Sequence, residues 1–199
     1  MAREKIASVI QLAGEEILKL VDKIDYDVAA KLEERILQHP EKSIFFTGCG
    51  TSGKGAQKIV HTFRVVNLPA SYIDPSDAVH GGLGVVREGD MLVIISKGGN
   101  TKELTSFLDN LAAKKVFIVA VTENEDSAIA KAADLIFKIT VDRESDVFNM
   151  IASASTLAVM AVFDAIAVDL MKDMGFTKEE LLINHPSGLV GDRLQEERG

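Results

Sequence analysis

Two short stretches carry the residue types that hold a phosphate: Gly48-Cys49-Gly50-Thr51-Ser52-Gly53 and Ser96-Lys97-Gly98-Gly99-Asn100-Thr101. Each follows an apolar, β-rich run and precedes a helical apolar pattern, so each marks a strand's carboxyl end turning into a helix. Backbone N–H groups at such a helix N-terminus are free and point outward, and glycines let an anion approach them. The spacing Gly48-x-Gly50-x-x-Gly53, with Asp74 closing the next strand, also fits the dinucleotide fingerprint. The second turn tips the reading toward one small phosphorylated ligand held by Gly50, Thr51, Ser52, Ser96, Gly98, Gly99 and Thr101. Lys54, Lys97 and Asn100 are further candidates for substrate contact. The plain alternative is that such turns close βα units with no ligand at all.

A ligand seated there presents its reacting end to the surrounding loops, which offer His80, Glu144 and His185. Moving a hydrogen between neighbouring sugar carbons needs a base beside the carbonyl and an acid for the two oxygens. A carboxylate with a histidine suits that task; a solvated Glu144 and loop-capping histidines are the ordinary alternatives. Metal binding is not indicated, because His39, His61, His80 and His185 lack the short paired spacing of metal sites. No serine stands in a Gly-x-Ser-x-Gly elbow. The lone Cys49 reads as a small filler, and a single cysteine suits a reducing compartment.

The elements that must position these residues follow from the periodicity. Residues 4 to 38 read as two helices, the first with an apolar stripe of Ile6, Ile10, Ile17, Leu20, Val21 and Ile24. Strands are expected over 43–47, 70–73, 91–95, 116–122 and 135–140, with helices over 54–66, 102–114 and 127–132 between them. Each consecutive pair of strands is joined by a crossover, so the sheet is parallel. The expected fold is α/β, a three-layer α-β-α sandwich with a five-stranded parallel sheet of flavodoxin-like order 2-1-3-4-5. In that order the first and third strands are neighbours at the switch point, and the two glycine turns face each other. Residues 78–84 form a glycine-dense loop, and 142–146 a charged one leaving the last strand. A long helix is expected from Asn149 to about Met174, stopped by Gly175, then a short helix from Thr177 with Glu180 at capping-box spacing. The tail 184–191 reads as irregular, and residues 196–199 as a fraying end.

The 199 residues, 47% of them hydrophobic, suffice for one domain: helices over 1–40, then sheet, crossover helices and tail over 41–199. A net charge of -8 and a pI near 5.0 argue against a partner made of nucleic acid. The first five residues lack a signal-peptide run, and no apolar stretch reaches the roughly 18 residues of a membrane span. Leu157 to Leu170 comes nearest but contains Asp164 and Asp169. The expectation is a cytoplasmic domain with no membrane partner.

Taken together, Gly48-x-Gly50-x-Ser52-Gly53, Ser96-x-Gly98-Gly99-x-Thr101, His80-Gly81-Gly82-Leu83-Gly84 and His185-Pro186-Ser187-Gly188-Leu189-Val190-Gly191 resemble the SIS (sugar isomerase) domain over nearly the whole chain. The resemblance is greatest to its arabinose-5-phosphate isomerase branch, without the tandem CBS pair that often follows. It implies an aldose–ketose isomerase acting on a phosphorylated sugar through an enediol, with no metal or other cofactor. It also implies a homodimer or homotetramer whose sites draw on more than one subunit. Under the resemblance His80, Glu144 and His185 match the family's catalytic histidines and glutamate. Two positions depart from the pattern: Thr51 stands where that branch has a lysine, and Asn100 where it has a glutamate. An amide cannot take a proton as a carboxylate does, so an acid or base is missing. A non-catalytic phosphosugar sensor is the second reading, and a dinucleotide oxidoreductase the third.

Overall fold

A computed structural model describes residues 2–198; Met1, the start of the expected leaderless N-terminus, and Gly199, the last of the expected fraying residues, lie outside them. The chain opens with helices α1 (Ala2–Lys23) and α2 (Tyr26–Gln38), then β1 (Ile44–Gly48), α3 (Gly50–Val65) and β2 (Ala70–Tyr72). A one-turn helix α4 (Pro75–Ala78) and a 3-10 turn (Gly82–Val85) lead to β3 (Met91–Ile95). Next come α5 (Lys102–Thr105), α6 (Leu108–Ala113), β4 (Phe117–Val121), α7 (Ala128–Ala132) and β5 (Leu135–Phe137). The chain finishes with α8 (Ala154–Asp173), α9 (Lys178–Asn184) and α10 (Gly188–Glu196). The five strands among the described residues form one parallel sheet in the order β2-β1-β3-β4-β5, as the sequence leads one to expect.

Both faces of the sheet are covered, which is why its central strands read as unbroken apolar runs rather than alternating ones. One face, with Phe46, Val93, Ile95, Val119 and Phe137, packs against α2, α3 and α8. The other, with Phe45, Leu92, Ile94, Ile118 and Ala120, packs against α4 to α7. On the first face four phenylalanines meet: Phe163 of α8 lies 5.6 Å from Phe46 and 6.2 Å from both Phe63 and Phe137. β1 and β3 pair through their last residues, Gly48 opposite Ile95, so their carboxyl ends stop level and the two glycine turns emerge side by side.

Several expectations need correction. The single helix expected over 102–114 is broken, because Phe107 turns into the core between α5 and α6. Strand β5 ends at Phe137 rather than 140. The long helix begins at Ala154, not Asn149: Asp146 accepts the N–H groups of Phe148, Met150 and Ile151, and Asn149 has φ 57°, which holds that stretch out of helix. The tail expected to be irregular forms α10, whose Leu194 is buried. Of the α1 stripe only the second half seats, with Leu20 buried and Ile17 and Ile24 partly so, while Ile6, Ile10 and Val21 stay exposed. Finally, α8 is long and apolar enough to cross a membrane by length and composition, which the sequence reading did not expect. Its apolarity serves the core: Ala158, Val162, Phe163, Ile166, Ala167 and Leu170 are buried against the sheet layer, and Asp164 pairs with Lys58 of α3. The capping box at Thr177 with Glu180 and the left-handed Gly175 occur as expected.

Phe163→Ala removes the ring that its three aromatic neighbours share and leaves a cavity, so unfolding should become easier by about 3–5 kcal/mol. Urea titration measures it; a loss below about 1 kcal/mol, the size of an ordinary surface change, would mean that this cluster is not a packing centre.

Candidate functional site

The site forms at the carboxyl ends of β1, β3, β4 and β5. The first glycine turn is shaped by close approach. A side chain at Gly53 would place its Cβ 2.5 Å from the Gly48 carbonyl oxygen, which also accepts a hydrogen bond from the Tyr72 hydroxyl at 3.0 Å. Strand and helix therefore touch backbone to backbone, as the spacing of these glycines suggests. Cys49 occupies the N-cap position of α3 and supplies no capping hydrogen bond, so the first-turn N–H groups beside Gly50, Thr51 and Ser52 have no side-chain cap. Burial pushes the Cys49 thiol up, with Glu103 and Asp74 adding to it, which fits a filler rather than a thiolate. Asp74, the residue a dinucleotide would want, instead caps α4 by accepting the N–H of Ser76.

The second turn is braced from within. Ser96 is buried; its Oγ lies 3.2 Å from Thr101 Oγ1 and accepts the Gly99 N–H at 3.2 Å. Gly99 has φ 66°, and any Cβ there would run into Ser127. Gly98 contributes its carbonyl, which accepts the Asn100 amide at 3.2 Å. Thr101, the N-cap of α5, makes no capping bond. Asn100 is used structurally, its Oδ1 accepting the Ala128 N–H at 2.9 Å. Lys54 points along α3 toward Gln57 rather than into the crevice.

Glu144 is 1% exposed, so its charge must be compensated inside the protein. Oε1 accepts a hydrogen bond from Lys97 Nζ at 2.8 Å. Oε2 accepts the N–H groups of Ser153 and Ser155 at 3.0 and 3.1 Å, with the Ser153 hydroxyl at 3.2 Å, so Glu144 caps the start of α8 from a distance along the chain. Its own N–H donates to Asn149 Oδ1 at 2.6 Å. Burial alone would raise its pKa, but the Lys97 bond and the α8 donors outweigh it and hold the carboxyl at about 2. Two residues earlier, the Asp142 N–H donates to buried Glu16 at 2.6 Å, and Lys19 bridges Glu16 and Asp142, fastening the loop to α1.

A residue that the sequence reading did not single out completes the group. Glu123, in the turn after β4, lies with Oε1 3.7 Å from Lys97 Nζ, and burial pushes its carboxyl up, partly opposed by Lys97. Only its position directly after a central strand could have flagged it. The cavity bounded by Ser52, Lys97, Thr122, Glu123, Ser155 and Thr156 measures about 30 Å³, room for a water or two rather than a sugar.

The two histidines sit elsewhere. His80 is exposed on the turn after α4, at the same end of the sheet, its backbone N–H donating to the Asp77 carbonyl. His185 ends α9, and the neighbouring Asn184 amide bonds the Val65 carbonyl at 3.0 Å and Asn67 at 2.6 Å. That is the far end of α3 from Thr51 and Ser52, roughly 20 Å away along the helix axis. The structure therefore brings Lys97 and Ser52 together at one cavity, with Glu144 buried behind the cavity-lining Lys97 and Ser155 to which it is bonded, and keeps His185 of the same chain apart from them. Among the described residues no group of three or more His, Cys, Asp or Glu is arranged to hold a metal ion.

The depressed Glu144 carboxyl has a consequence for stability. Its unfolded value is the ordinary 4.5 and its folded value about 2, so its contribution is full above about pH 5 and is lost as pH falls through 2. Between about pH 5 and 2 the wild-type chain should lose stability more steeply than Glu144→Gln, as read from urea midpoints at stepped pH. Parallel slopes would mean that these bonds do not hold the charge.

Comparison with known proteins places this geometry in a family. A Yersinia pestis arabinose 5-phosphate isomerase, KdsD, is 31% identical over 186 residues, 94% of this chain and 56% of that protein. The chain spans about half the length of the curated relatives it matches. Among solved structures, a Listeria monocytogenes protein provisionally described as a sugar-phosphate isomerase is 43% identical, with a TM-score of 0.90 over 94% of this chain and 97% of that one. The c3406 protein of E. coli CFT073, solved in complex with arabinose 5-phosphate, is 28% identical, with a TM-score of 0.86 over 91% and 95% of the two chains. The SIS domain model matches residues 37–168, more than half of the chain, and with the five-stranded parallel sheet and its paired glycine turns this establishes that the chain belongs to the SIS domain family.

Proposed function

We propose that the chain is a phosphosugar isomerase interconverting an aldose and a ketose phosphate through an enediol. The observation that carries this reading is the junction of a buried carboxylate and a lysine, Glu144 with Lys97, beside two glycine turns whose helices lack side-chain caps. The relatives named for arabinose 5-phosphate isomerisation, and the neighbour solved with that sugar phosphate, support a phosphosugar as the substrate class. The phosphate is held by the first-turn N–H groups of α3 with Thr51 and Ser52, and by the turn Gly98 to Thr101. Glu144 takes the proton from the carbon beside the carbonyl and returns it to the neighbouring carbon. Proton transfers alone interconvert aldose and ketose, so the reading calls for no cofactor.

With Lys97 and the α8 donors holding its charge, Glu144 is a weak base. Lys97 is a flexible ammonium on a four-carbon stem, half exposed, and it is the movable wall of the small cavity. A substrate oxygen that draws Lys97 away both opens the cavity and returns basicity to Glu144. The ammonium then faces the oxygen on which charge develops.

His185 joins the reading through a second copy of the chain. It is too far from Glu144 of its own chain, and its Nδ1 is buried without a hydrogen-bond partner. Val147 and Met150, 89% and 83% exposed just after Glu144, and Ile183, Leu189 and Val190 around His185 are apolar surfaces at opposite ends of the protein. A homo-oligomer that covers both sets brings one copy's His185 to another's crevice, where it and His80 position the sugar oxygens.

Proton NMR in deuterium oxide with arabinose 5-phosphate and other pentose and hexose phosphates should show exchange of the C2 proton of an aldose or a C1 proton of a ketose. Glu144→Gln should lower that rate ~100-fold or more. Saturable binding with no exchange across the panel would replace the isomerase with a phosphosugar sensor. For the shared site, Glu144→Gln and His185→Gln proteins, each inactive alone, should regain activity when mixed and allowed to exchange subunits; no recovery would place each site within one chain.

A further inference from the structure

An enediol route has two kinds of proton to move, one at carbon and one at oxygen, and the residues so far account for the first. Asn100 stands where the resemblance places a carboxylate, but its amide is committed to the Ala128 N–H and the Gly98 carbonyl. Glu123 is a carboxyl group in the same crevice whose capacity the fold uses only in part: the Val141 N–H bonds it, and one of its oxygens is left over. Its backbone N–H donates to the Lys97 carbonyl at 3.0 Å, and the Thr122 hydroxyl donates to the same carbonyl at 3.0 Å, so the turn after β4 is pinned to the second glycine turn. The side chain reaches the cavity that Ser52, Lys97, Ser155 and Thr156 share. There Oε1 is buried without a hydrogen-bond partner, and the nearest cation, Lys97 Nζ, lies 3.7 Å away and donates its hydrogen bond to Glu144 instead. A buried polar atom left unpaired at a site is costly unless a ligand or water supplies the partner.

We propose that Glu123 is the second carboxyl group of the reaction, serving the substrate oxygens while Glu144 serves the carbons. The inference rests on the isomerase reading above and deepens it. In the aldose-to-ketose direction Glu144, as carboxylate, takes the C2 proton; the C–H pair forms the C1–C2 double bond, and the carbonyl pair moves to O1. Glu123, as carboxylic acid, protonates O1. It then takes the proton from the C2 hydroxyl, whose electron pair forms the new carbonyl at C2, and Glu144 returns its proton to C1. Both carboxyls end as they began, so no other reactant is consumed.

One lysine shared unequally between two carboxylates sets this division. Three groups act on Glu123 from the packed elements: Lys97 from the turn after β3, the Val141 N–H after β5 and the Glu144 carboxylate. Burial is the largest influence and favours the protonated acid, Lys97 and the Val141 N–H oppose it, and the neighbouring negative charge adds to it. Glu144 is driven the opposite way, and carboxyls whose environments push them apart are suited to acid and base roles.

The test compares wild type, Glu123→Gln, Glu123→Asp and Glu144→Gln by the same deuterium-oxide NMR, with kcat and KM followed against pH and folding checked by circular dichroism. The wild-type kcat should fall as pH rises through the raised Glu123 value, because the acid is then lost. Glu123→Gln should lower kcat ~100-fold with KM changed only a few-fold, and the alkaline limb should vanish since an amide has no proton to lose there. Glu123→Asp should recover part of the rate and show the limb again, shifted. A folded Glu123→Gln protein that keeps kcat within a few-fold of wild type, or keeps the limb, overturns the assignment while leaving the isomerase intact. Should Glu123→Gln fail to fold, an unmoved limb in Glu123→Asp overturns it equally. Absence of exchange by wild type on every sugar in the panel would instead sink the isomerase reading, and Glu123 with it.

Discussion

Burial of a full negative charge at Glu144 is the constraint to which the rest of the crevice answers. A carboxylate removed from water needs donors around it, and two separate parts of the chain supply them: the turn after β3 through Lys97, and the start of α8 through Ser153 and Ser155, while Asn149 of the loop after β5 fixes the Glu144 backbone by accepting its N–H. The helix cannot start earlier without losing those bonds, and the loop cannot relax without exposing the charge. Glu16 adds a brace from α1, itself buried and bonded to the Asp142 N–H. Since Lys97 is drawn to Glu144, the nearby Glu123 is left under-compensated, and two chemically identical side chains acquire different proton affinities.

Beneath the crevice the structure is rigid for a different reason. Backbone contact between Gly48 and Gly53, the Tyr72 hydroxyl over the same carbonyl, and the four-ring aromatic cluster pack α3 and α8 onto the sheet without slack. Strand ends that stop level present their turns along one edge. Above that edge stand side chains with room to turn: Lys97, half exposed on its four-carbon stem, and the exposed His80. A rigid base under a long, half-exposed lysine suits the site proposed above, which has to open for a sugar phosphate larger than its cavity.

The single chain leaves apolar surface at both ends. The exposed side chains after Glu144 are held outward by Asp146, so their exposure is built into the backbone and does not arise from loose packing. The first half of α1 likewise presents Ile6, Val9 and Ile10 with no cover from its own fold. These side chains are the apolar surface that the proposed homo-oligomer would cover.

What the sequence determined by itself is the part governed by local rules. Apolar runs bounded by glycine turns specified the parallel strands, and crossover connections left few topologies open, so the order 2-1-3-4-5 was legible. The glycine turns, the capping box at Thr177 and the stop at Gly175 could likewise be read from residue type and spacing. The motifs also identified the family, which the match over residues 37–168 bears out. Only the tertiary structure decided where α8 begins, because its first donors are claimed by Glu144 from across a loop. Only the structure set Lys97 between two carboxylates, turned Asn100 toward α7 and brought Glu123 into the crevice. It also put His185 at the far end of α3, an arrangement that no periodicity encodes. Each of these depends on which side chains meet across elements far apart in the chain, and on which buried charge a single cation reaches first.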